Sequence, residues 1–477
     1  MNIISIFGGH DANITFFNGQ YHIIEIERLT REKYFQLKKN PNDYIRGILE
    51  QCQNIATQFW GIKNEYDVLL IDSRWKHRGI PDVVYEVFNS KEVKTISNHH
   101  DNHAYCAYYQ SPYREALIVS YDGGGDGQSF NFYYAKEDDI KLIEALPYNL
   151  GREYWMSGSR IKDIVKKSNT RREYPGKMMG LSAYGKVSQH SKIGADIAAT
   201  AQKYFESIFF SNLKKYITDI PIILTGGCAL NVLVNEKIKE KFSNPVFIPP
   251  NPHDGGLSLG HMLNYIKPKD KIDVTYSGIP LLDRNKLQNY IDEYGATKLN
   301  KKEIAELIKD GKIIGLVYGD SEVGPRALGN RSIVCDPNIA DMKDILNSKV
   351  KFREWYRPFA PFCKKEVAHK YFQSRDFENM EYMSFAPKVK VDNIPAVTHI
   401  DRSARLQIVS ENTHKHFYDL LTEYEKISAT EVLLNTSFNI KGEPILTRIS
   451  DALNILNSTQ LDYVVIEDYL FKKNARL

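Results

Sequence analysis

The sequence has no Cys-x-x-Cys pair, and its five cysteines, Cys52, Cys106, Cys228, Cys335 and Cys363, lie far apart in a chain of 477 residues. That spacing excludes a disulfide framework and a paired-cysteine zinc site, and it suits buried thiols in a reducing compartment. No apolar run approaches the roughly 20 residues needed to cross a bilayer. The opening MNIISIFGGHDANITFF has neither the basic start nor the small-residue cleavage pattern of a secretory signal. The expected setting is the cytoplasm, with no membrane partner. An excess of one charge is also missing: 63 basic residues stand against 59 acidic ones, for a formal net charge of +4 and no basic tail. Composition therefore gives no argument for nucleic-acid binding. Tandem repeats and low-complexity tracts are absent too.

What is present is apolar and aromatic bulk. A hydrophobic fraction of 42%, with 22 Phe and 30 Tyr, can fill two or three cores and excludes disorder as the dominant state. Ile3 to Phe7 reads as a buried strand, Gly8-Gly9 as a turn, Ile14 to Phe17 as a second strand, and Tyr21 to Glu27 as a third after Asn18-Gly19. The same grammar returns at Ala116 to Ser120, Asp122-Gly123-Gly124-Gly125-Asp126-Gly127 and Ser129 to Ala135. A third strand-to-turn signal, Ile222 to Thr225 then Gly226-Gly227-Cys228-Ala229-Leu230-Asn231, reads onward as helix to Lys239. Glycines at such turns let backbone N–H groups approach phosphate oxygens, and a helix start adds a positive end. Duplicated α/β halves around a nucleotide would use all three segments. A Lys-, Pro- and Asp-rich stretch after Met262 marks a boundary; Lys301 to Lys309 reads as helix and Ile313 to Tyr318 as a new buried strand.

The sharpest local signal is Asn98-His99-His100-Asp101-Asn102-His103-Ala104. On a helix His99 and His103 share one face and can converge on a metal, with His100 pointing elsewhere. Asp122 and Asp254, each in a glycine-rich turn, can complete the ligand set, and imidazole with carboxylate suits iron, manganese or zinc better than calcium. A helix with buried or surface histidines accounts for the spacing equally well. His10-Asp11 can face the same cleft, where a histidine near its ordinary pKa of about 6.5 can take or give a proton; a turn-forming pair is the plainer alternative. Glu25, Glu27 and Arg28 close the third strand and are solvated, paired or turned into the cleft. Lys177, in Pro175-Gly176-Lys177-Met178-Met179-Gly180-Leu181, lacks P-loop spacing.

A second constellation runs from Gly319 to Pro361, with Arg326, Arg331, Lys351, Arg353 and Arg357 set among Gly, Pro and apolar residues. Arginine forks grip phosphate or acyl oxygens, although core salt bridges and scattered surface charge also fit such a run. Downstream, a buried strand leads into Asn435-Thr436-Ser437-Phe438-Asn439, where Asn435, Ser437 and Asn439 can orient a planar carbamoyl or carboxyl group.

Taken in order, GGHDAN, NHHDNHA, DGGGDG, PGKMMGLSAYG, GGCALNVLVN, PPNPHDGG, SEVGPRALGNRS, KFREWYRPFAPF and LLNTSFNIKGEP resemble the O-carbamoyltransferase family of nodulation-factor and antibiotic biosynthesis across almost the whole chain. The resemblance implies an α/β protein. Its N-terminal part (residues 1–275) would be a duplicated actin/hexokinase-like domain similar to the tRNA-threonylcarbamoylation enzyme, and its C-terminal part (280–477) an α/β domain resembling the threonylcarbamoyl-adenylate synthase fold. It further implies that His99, His103, Asp122 and Asp254 hold a divalent metal, Fe(II) in this family, and that His10 lies nearest the acceptor hydroxyl. Gly123, Gly124, Gly125, Gly226, Gly227 and Asn231 would contact nucleotide. Arg326 and Arg357 would act on carbamoyl phosphate, with Arg331, Lys351, Arg353, Asn435, Ser437 and Asn439 binding it and ATP, the latter with Mg(II). The implied reaction makes carbamoyl adenylate and pyrophosphate in the second domain and carbamoylates a hydroxyl of a small molecule or saccharide in the first, releasing AMP. A tRNA threonylcarbamoyltransferase is disfavoured by the fused second domain, and a kinase of the same nucleotide fold would yield ADP instead. The sequence departs from the family at Arg402, where glycine is common, at Asn338, where arginine is usual, and at Cys228, where many relatives have valine.

Overall fold

The computed structural model describes residues 1–72, 82–96 and 98–473. β1 (Ile3–Phe7), β2 (Asn13–Phe17) and β3 (Tyr21–Glu25) form an antiparallel meander. The third strand ends two residues earlier than its sequence suggests. Ile26 donates its N–H to the Ala12 carbonyl, and the chain turns into α1 (Ile26–Thr30). That turn brings Glu25 and Arg28 together at the i,i+3 spacing of a helix, 2.6 Å apart and both buried.

α2 (Asn42–Trp60) follows, with Ile45, Ile48, Leu49, Cys52, Ile55 and Ala56 on its buried stripe. This stripe covers Ile4, Ile6, Ile14 and Phe16 of the sheet. Gly61, at φ 67°, ends the helix by donating to Ala56 O. β4 (Tyr66–Asp72) then pairs parallel to β1, and β5 (Ser90–Ile96) parallel to β4. The sheet order is β3-β2-β1-β4-β5.

The second half repeats this plan. After α3 (His99–Gln110) come β6 (Glu115–Tyr121), β7 (Phe130–Lys136) and β8 (Asp139–Leu146), again an antiparallel meander. α4 (Leu150–Gly158), α5 (Tyr174–Ser182) and α6 (Gly194–Leu213) lead to β9 (Ile222–Thr225), parallel to β6. A 3-10 turn at Gly227–Leu230 and α7 (Val232–Lys241) then lead to β10 (Val246–Phe247), parallel to β9. Helix thus begins at Val232 rather than in the glycine turn. The order β10-β9-β6-β7-β8 is that of the first sheet, and two such halves make the duplicated actin/hexokinase-like fold. α8 (Leu257–Ile266) packs on β1, β2 and β4, while α3 packs on β6 and β9, and these two helices meet between the sheets.

An eight-stranded mixed sheet takes its strands from later in the chain. In chain order these are β11 (Thr297–Lys298), β12 (Ile314–Val317), β13 (Arg331–Cys335), β14 (Ala360–Lys364), β15 (Gln407–Val409), β16 (Val432–Ser437), β17 (Tyr463–Ile466) and β18 (Tyr469–Lys472). They are ordered β11-β18-β17-β12-β13-β16-β14-β15. The helix Lys301–Lys309 begins with a capping box between Asn300 and Glu303. Arg28 donates to the carbonyls of Glu322 and Gly324, and Arg31 to Glu443 and Ile445 O, so the β3–α1 corner is bonded directly to this later part.

Candidate functional site: two charged centres in one cavity

α3 starts at Asn98, whose φ of 68° is one that asparagine tolerates and whose side chain accepts the Asp101 N–H. Its first turn brings His99 and His103 to one face, both buried, with their Nε2 atoms 3.2 Å apart. Asp122, at the end of β6, reaches His103 Nε2 at 3.2 Å and His99 Nε2 at 3.8 Å; Asp254 Oδ1 lies 3.3 and 3.4 Å from the same atoms. One ligand atom from each of these four residues falls within 4.8 Å of all the others. Asp254 Oδ1 is buried without an aligned hydrogen bond. Burial pushes the His99 imidazole down, yet Asp254 and Asp122 hold it up at about 10, so the two carboxylates call for positive charge between them. Two neutral imidazoles and two carboxylates balance a divalent cation and suit iron, manganese or zinc, so the residues fit the implied metal.

His100 does point away. It meets Ser120 Oγ at 2.9 Å, and burial together with His99 and His103 pushes it down to about 3. A Cβ on Gly125 would come 2.6 Å from its Nε2, so only glycine lets the DGGGDG turn close over the histidines. His10 is held between two acids: Nδ1 is 2.7 Å from Asp11 Oδ2, and Nε2 is 3.3 Å from Asp254 Oδ2. Burial lowers its pKa, but Asp254 and Asp11 outweigh burial and raise it above the ordinary value. Asp11 sits at φ 58°, a strained backbone position beside the centre.

Gly123, Gly124, Gly125, Gly227 and Asn231 line the same cavity. The Gly227 N–H donates to Asp122 Oδ2 at 3.1 Å, and Asn231 caps α7 through the Val234 N–H while pairing with Gln202. Gly226 is outside the lining. At φ 87° its missing Cβ would stand 2.2 Å from Tyr121 O, so glycine there permits close chain packing rather than ligand contact.

The arginine constellation divides in two. Arg331 is fully buried, and its guanidinium donates to the carbonyls of Tyr318, Gly319 and Asn330. It braces the turn before β13 and does not face the cavity, a correction to its expected binding role. Lys351 lines the cavity, but its Nζ is tied to Ser437 O, Asn439 O and Asn439 Oδ1 at 2.6–2.7 Å, and Ser437 Oγ donates to Asn439 Oδ1. Ser437 and Asn439 thus hold the lysine before they meet a ligand, whereas the buried Asn435 keeps a free Oδ1. Arg353 stacks 4.2 Å over Phe359 and donates to Asn347 and Pro358 O.

Arg326 and Arg357 face the cavity, and Arg405 joins them. Arg405 is not among the sequence candidates; the signal that could have found it is a second arginine in Asp401-Arg402-Ser403-Ala404-Arg405, set just before the buried strand β15. Burial and then Arg357 push Arg326 down to about 10, and burial with Arg326, Arg353 and Arg357 pushes Arg405 well below the arginine range. Among the described residues no carboxylate pairs with Arg326 or Arg405. Half-buried, mutually repelling guanidiniums of this kind without a carboxylate partner suit an anion.

The departures fall elsewhere. Arg402 sits at φ 67°, in the left-handed region that favours glycine, and its guanidinium donates to Val389 O and Val391 O and pairs with Asp392. Asn338 bonds Asp336 and Thr430. Cys228 does line the cavity. Lys177 lines it too, where it forms ion pairs with Glu173 and Glu354.

All of this surrounds one cavity of about 860 Å³, whose wall includes His10, His99, Asp122 and Asp254 at one end and Arg326, Arg353, Arg357, Arg405 and Asn435 at the other. Residues 20–194 match the family described as Carbamoyltransferase N-terminus, and residues 305–473 the one described as Carbamoyltransferase C-terminus. Nodulation protein NolO of Bradyrhizobium diazoefficiens is 30% identical, over 79% of this chain and 79% of its own length. The chain belongs to the carbamoyltransferase family. Other relatives of this carbamoyltransferase are nodulation protein NolNO of Sinorhizobium fredii, 32% identical over 79% of this chain, and a 3'-hydroxymethylcephem-O-carbamoyltransferase of Streptomyces clavuligerus, 24% identical over the full length of both. The chain spans 64% of the length of NolNO. Among solved structures, full-length HypF aligns at a TM-score of 0.36 (14% identity, 56% of this chain, 46% of that one), and a ROK hexokinase from Thermus thermophilus at 0.34 (12% identity, 56% of this chain, 99% of that one). Such scores add nothing to the strand order, which carries the fold.

Proposed function

We propose that this carbamoyltransferase hydrolyses carbamoyl phosphate to carbamate and inorganic phosphate, joins the carbamate to the α-phosphate of ATP with loss of pyrophosphate to give carbamoyl adenylate at the arginine end of the cavity, and transfers the carbamoyl group to an acceptor hydroxyl at the histidine end, releasing AMP. The observation that carries the reading is that residues of both charged centres line one cavity. Carbamoyl adenylate is a labile mixed anhydride, and a shared cavity keeps it from water between the two steps.

Arg326, Arg357 and Arg405 supply paired N–H donors for the phosphoryl oxygens of the donor, and the depressed pKa values of Arg326 and Arg405 recover as an anion enters. Asn435 Oδ1 is placed to accept an N–H of a planar carbamoyl group. At the other end Asp11 holds Nδ1 of His10, and Nε2, which lies 3.3 Å from Asp254 Oδ2, would turn from that carboxylate to take the proton of the acceptor hydroxyl as it attacks the carbamoyl carbon. Gly124 brings its backbone N–H toward the leaving AMP phosphate, beside Gly123 and Gly227, whose N–H groups hold the Asp122 carboxylate in place. His99, His103, Asp122 and Asp254 would hold the divalent metal, Fe(II) in our reading, which when bound supplies positive charge for that phosphate. The acceptor is a hydroxyl-bearing small molecule or saccharide.

The test is product analysis with labelled carbamoyl phosphate, ATP and a panel of hydroxyl-bearing metabolites. AMP and pyrophosphate, each dependent on carbamoyl phosphate, with label in one acceptor, are the expected products. ADP with a phosphorylated acceptor would identify a kinase instead.

A further inference from the structure

The reaction proposed above leaves one buried charge without a task. Lys177 on α5 is 3% exposed. Its Nζ donates to Lys167 O at 2.5 Å and Ser168 Oγ at 2.8 Å, and stands 2.9 Å from Glu173 Oε2 and 3.0 Å from Glu354 Oε1. Glu354 lies between Arg353 and Arg357 on the loop at the arginine end of the cavity and is 4% exposed. Its Oε2 is 3.9 Å from Arg357 Nη1. Neither Glu354 oxygen has an aligned hydrogen bond among the described residues, so Lys177 holds it by charge rather than by a directed bond. The row Glu173, Lys177, Glu354, Arg357 alternates in sign from α5 to the arginine cluster.

α5 is seated firmly on that loop. Gly180 faces Pro358, whose Cδ would stand at ordinary contact distance, 3.6 Å, from an added Cβ, and the Gly180 carbonyl meets His399 Nε2 at 2.9 Å. The helix therefore fixes Lys177 relative to Glu354. A buried carboxylate must be paired, because an unpaired one is costly. If Lys177 were absent, the cation left in reach would be Arg357, since Arg353 already donates to Asn347 and Pro358. Closing 3.9 Å to a two-bond fork would commit the paired Arg357 donors to Glu354 in the cavity wall and withhold them from an entering phosphate.

The geometry points to Lys177 as a positioning residue for the donor site: by pairing with Glu354 it keeps that carboxylate off Arg357, which stays free to grip the donor phosphate. This inference rests on the carbamoyl-transfer reading, and it makes a distinctive claim, namely that removing Lys177 harms the site only while Glu354 is still charged.

The experiment compares wild type, Lys177→Met, Lys177→Arg and the double variant Lys177→Met/Glu354→Gln in carbamoyl-phosphate-dependent pyrophosphate release from ATP, with thermal melts to confirm folding. Lys177→Met should raise KM for carbamoyl phosphate about tenfold or more, with kcat within about threefold. Lys177→Arg should stay near wild type, and the double variant should recover most of the KM. A double variant no better than Lys177→Met, or a Lys177→Met KM within about twofold of wild type, would overturn the proposal. If Lys177→Met does not fold, the double variant decides: near-normal KM supports the clamp and a tenfold defect refutes it. Failure of the functional reading is separately visible as wild-type protein that releases no pyrophosphate. The clamp is then judged by calorimetry with inorganic phosphate, whose affinity must fall in Lys177→Met and return in the double variant.

Discussion

His103 lies behind the His99, Asp122 and Asp254 wall of the cavity and Arg405 lines its arginine wall, and their different chemistry makes the two proposed half-reactions separable. His103 is buried, with its Nε2 facing Asp122, Asp254 and His99. Replacing it with alanine removes a nitrogen ligand and leaves both carboxylates. Purified His103→Ala should lose bound divalent metal by elemental analysis and carbamoylate acceptor about 100-fold more slowly, while donor-dependent pyrophosphate release stays within about threefold. Arg405→Ala should do the reverse, lowering pyrophosphate release about 100-fold with metal content unchanged. Equal loss of both half-reactions in both variants would count against two separate centres. His103 was legible in the sequence because HxxxH has a geometric meaning on any helix. Arg331 was misread because an arginine fork bonds backbone carbonyls as readily as phosphate, and only the fold shows that Tyr318, Gly319 and Asn330 had claimed it.

At the scale of elements, the glycine turns were visible but their partners were not. Gly123 and Gly226 look alike in sequence, yet one lines the cavity and the other makes room for Tyr121. The strand grammar of both meanders was legible from its alternation and turns. The early end of β3 was not, because it depends on Arg28 reaching carbonyls 294 and 296 residues away. Nothing local marks Gly151 as special, although α4 begins there against the phosphate-side turn. A Cβ on Gly151 would lie 2.6 Å from Gly123 N and 2.7 Å from its Cα, both backbone atoms that cannot swing aside. Gly151→Ala should therefore push the DGGGDG turn off its register, costing about 1–3 kcal/mol and lowering acceptor carbamoylation. Gly47, on the exposed side of α2 with nothing within 4 Å of an added Cβ, gives the opposite expectation. Gly47→Ala should gain about 0.5–1 kcal/mol. Thermal melts of the two variants should move in opposite directions, and a shared direction would show that helix propensity, not the α4 contact, governs position 151.

Across the whole molecule, the cavity exists because the later α/β part is bonded to the actin-like part at several buried polar joints, which no motif announces. One joint makes stability depend on pH. Glu236, on α7, is 6% exposed and accepts the Ala386 N–H at 3.2 Å, with Asn235 beside it donating to Ser384 O. Burial pushes its carboxyl up to about 7, with Glu240 and Asp376 also raising it and Lys239 opposing. In the unfolded chain the same group titrates near 4.5. Between those values the folded protein holds the extra proton, so stability falls as pH rises from about 4.5 to about 7 and stays low above that. The size of the loss is on the order of 3 kcal/mol. Glu236→Gln keeps an oxygen for Ala386 and cannot ionise. It should match wild type in urea midpoint at pH 4.5 and exceed it at pH 8. A midpoint difference that does not grow between those two pH values would mean that Glu236 is already charged within the folded joint.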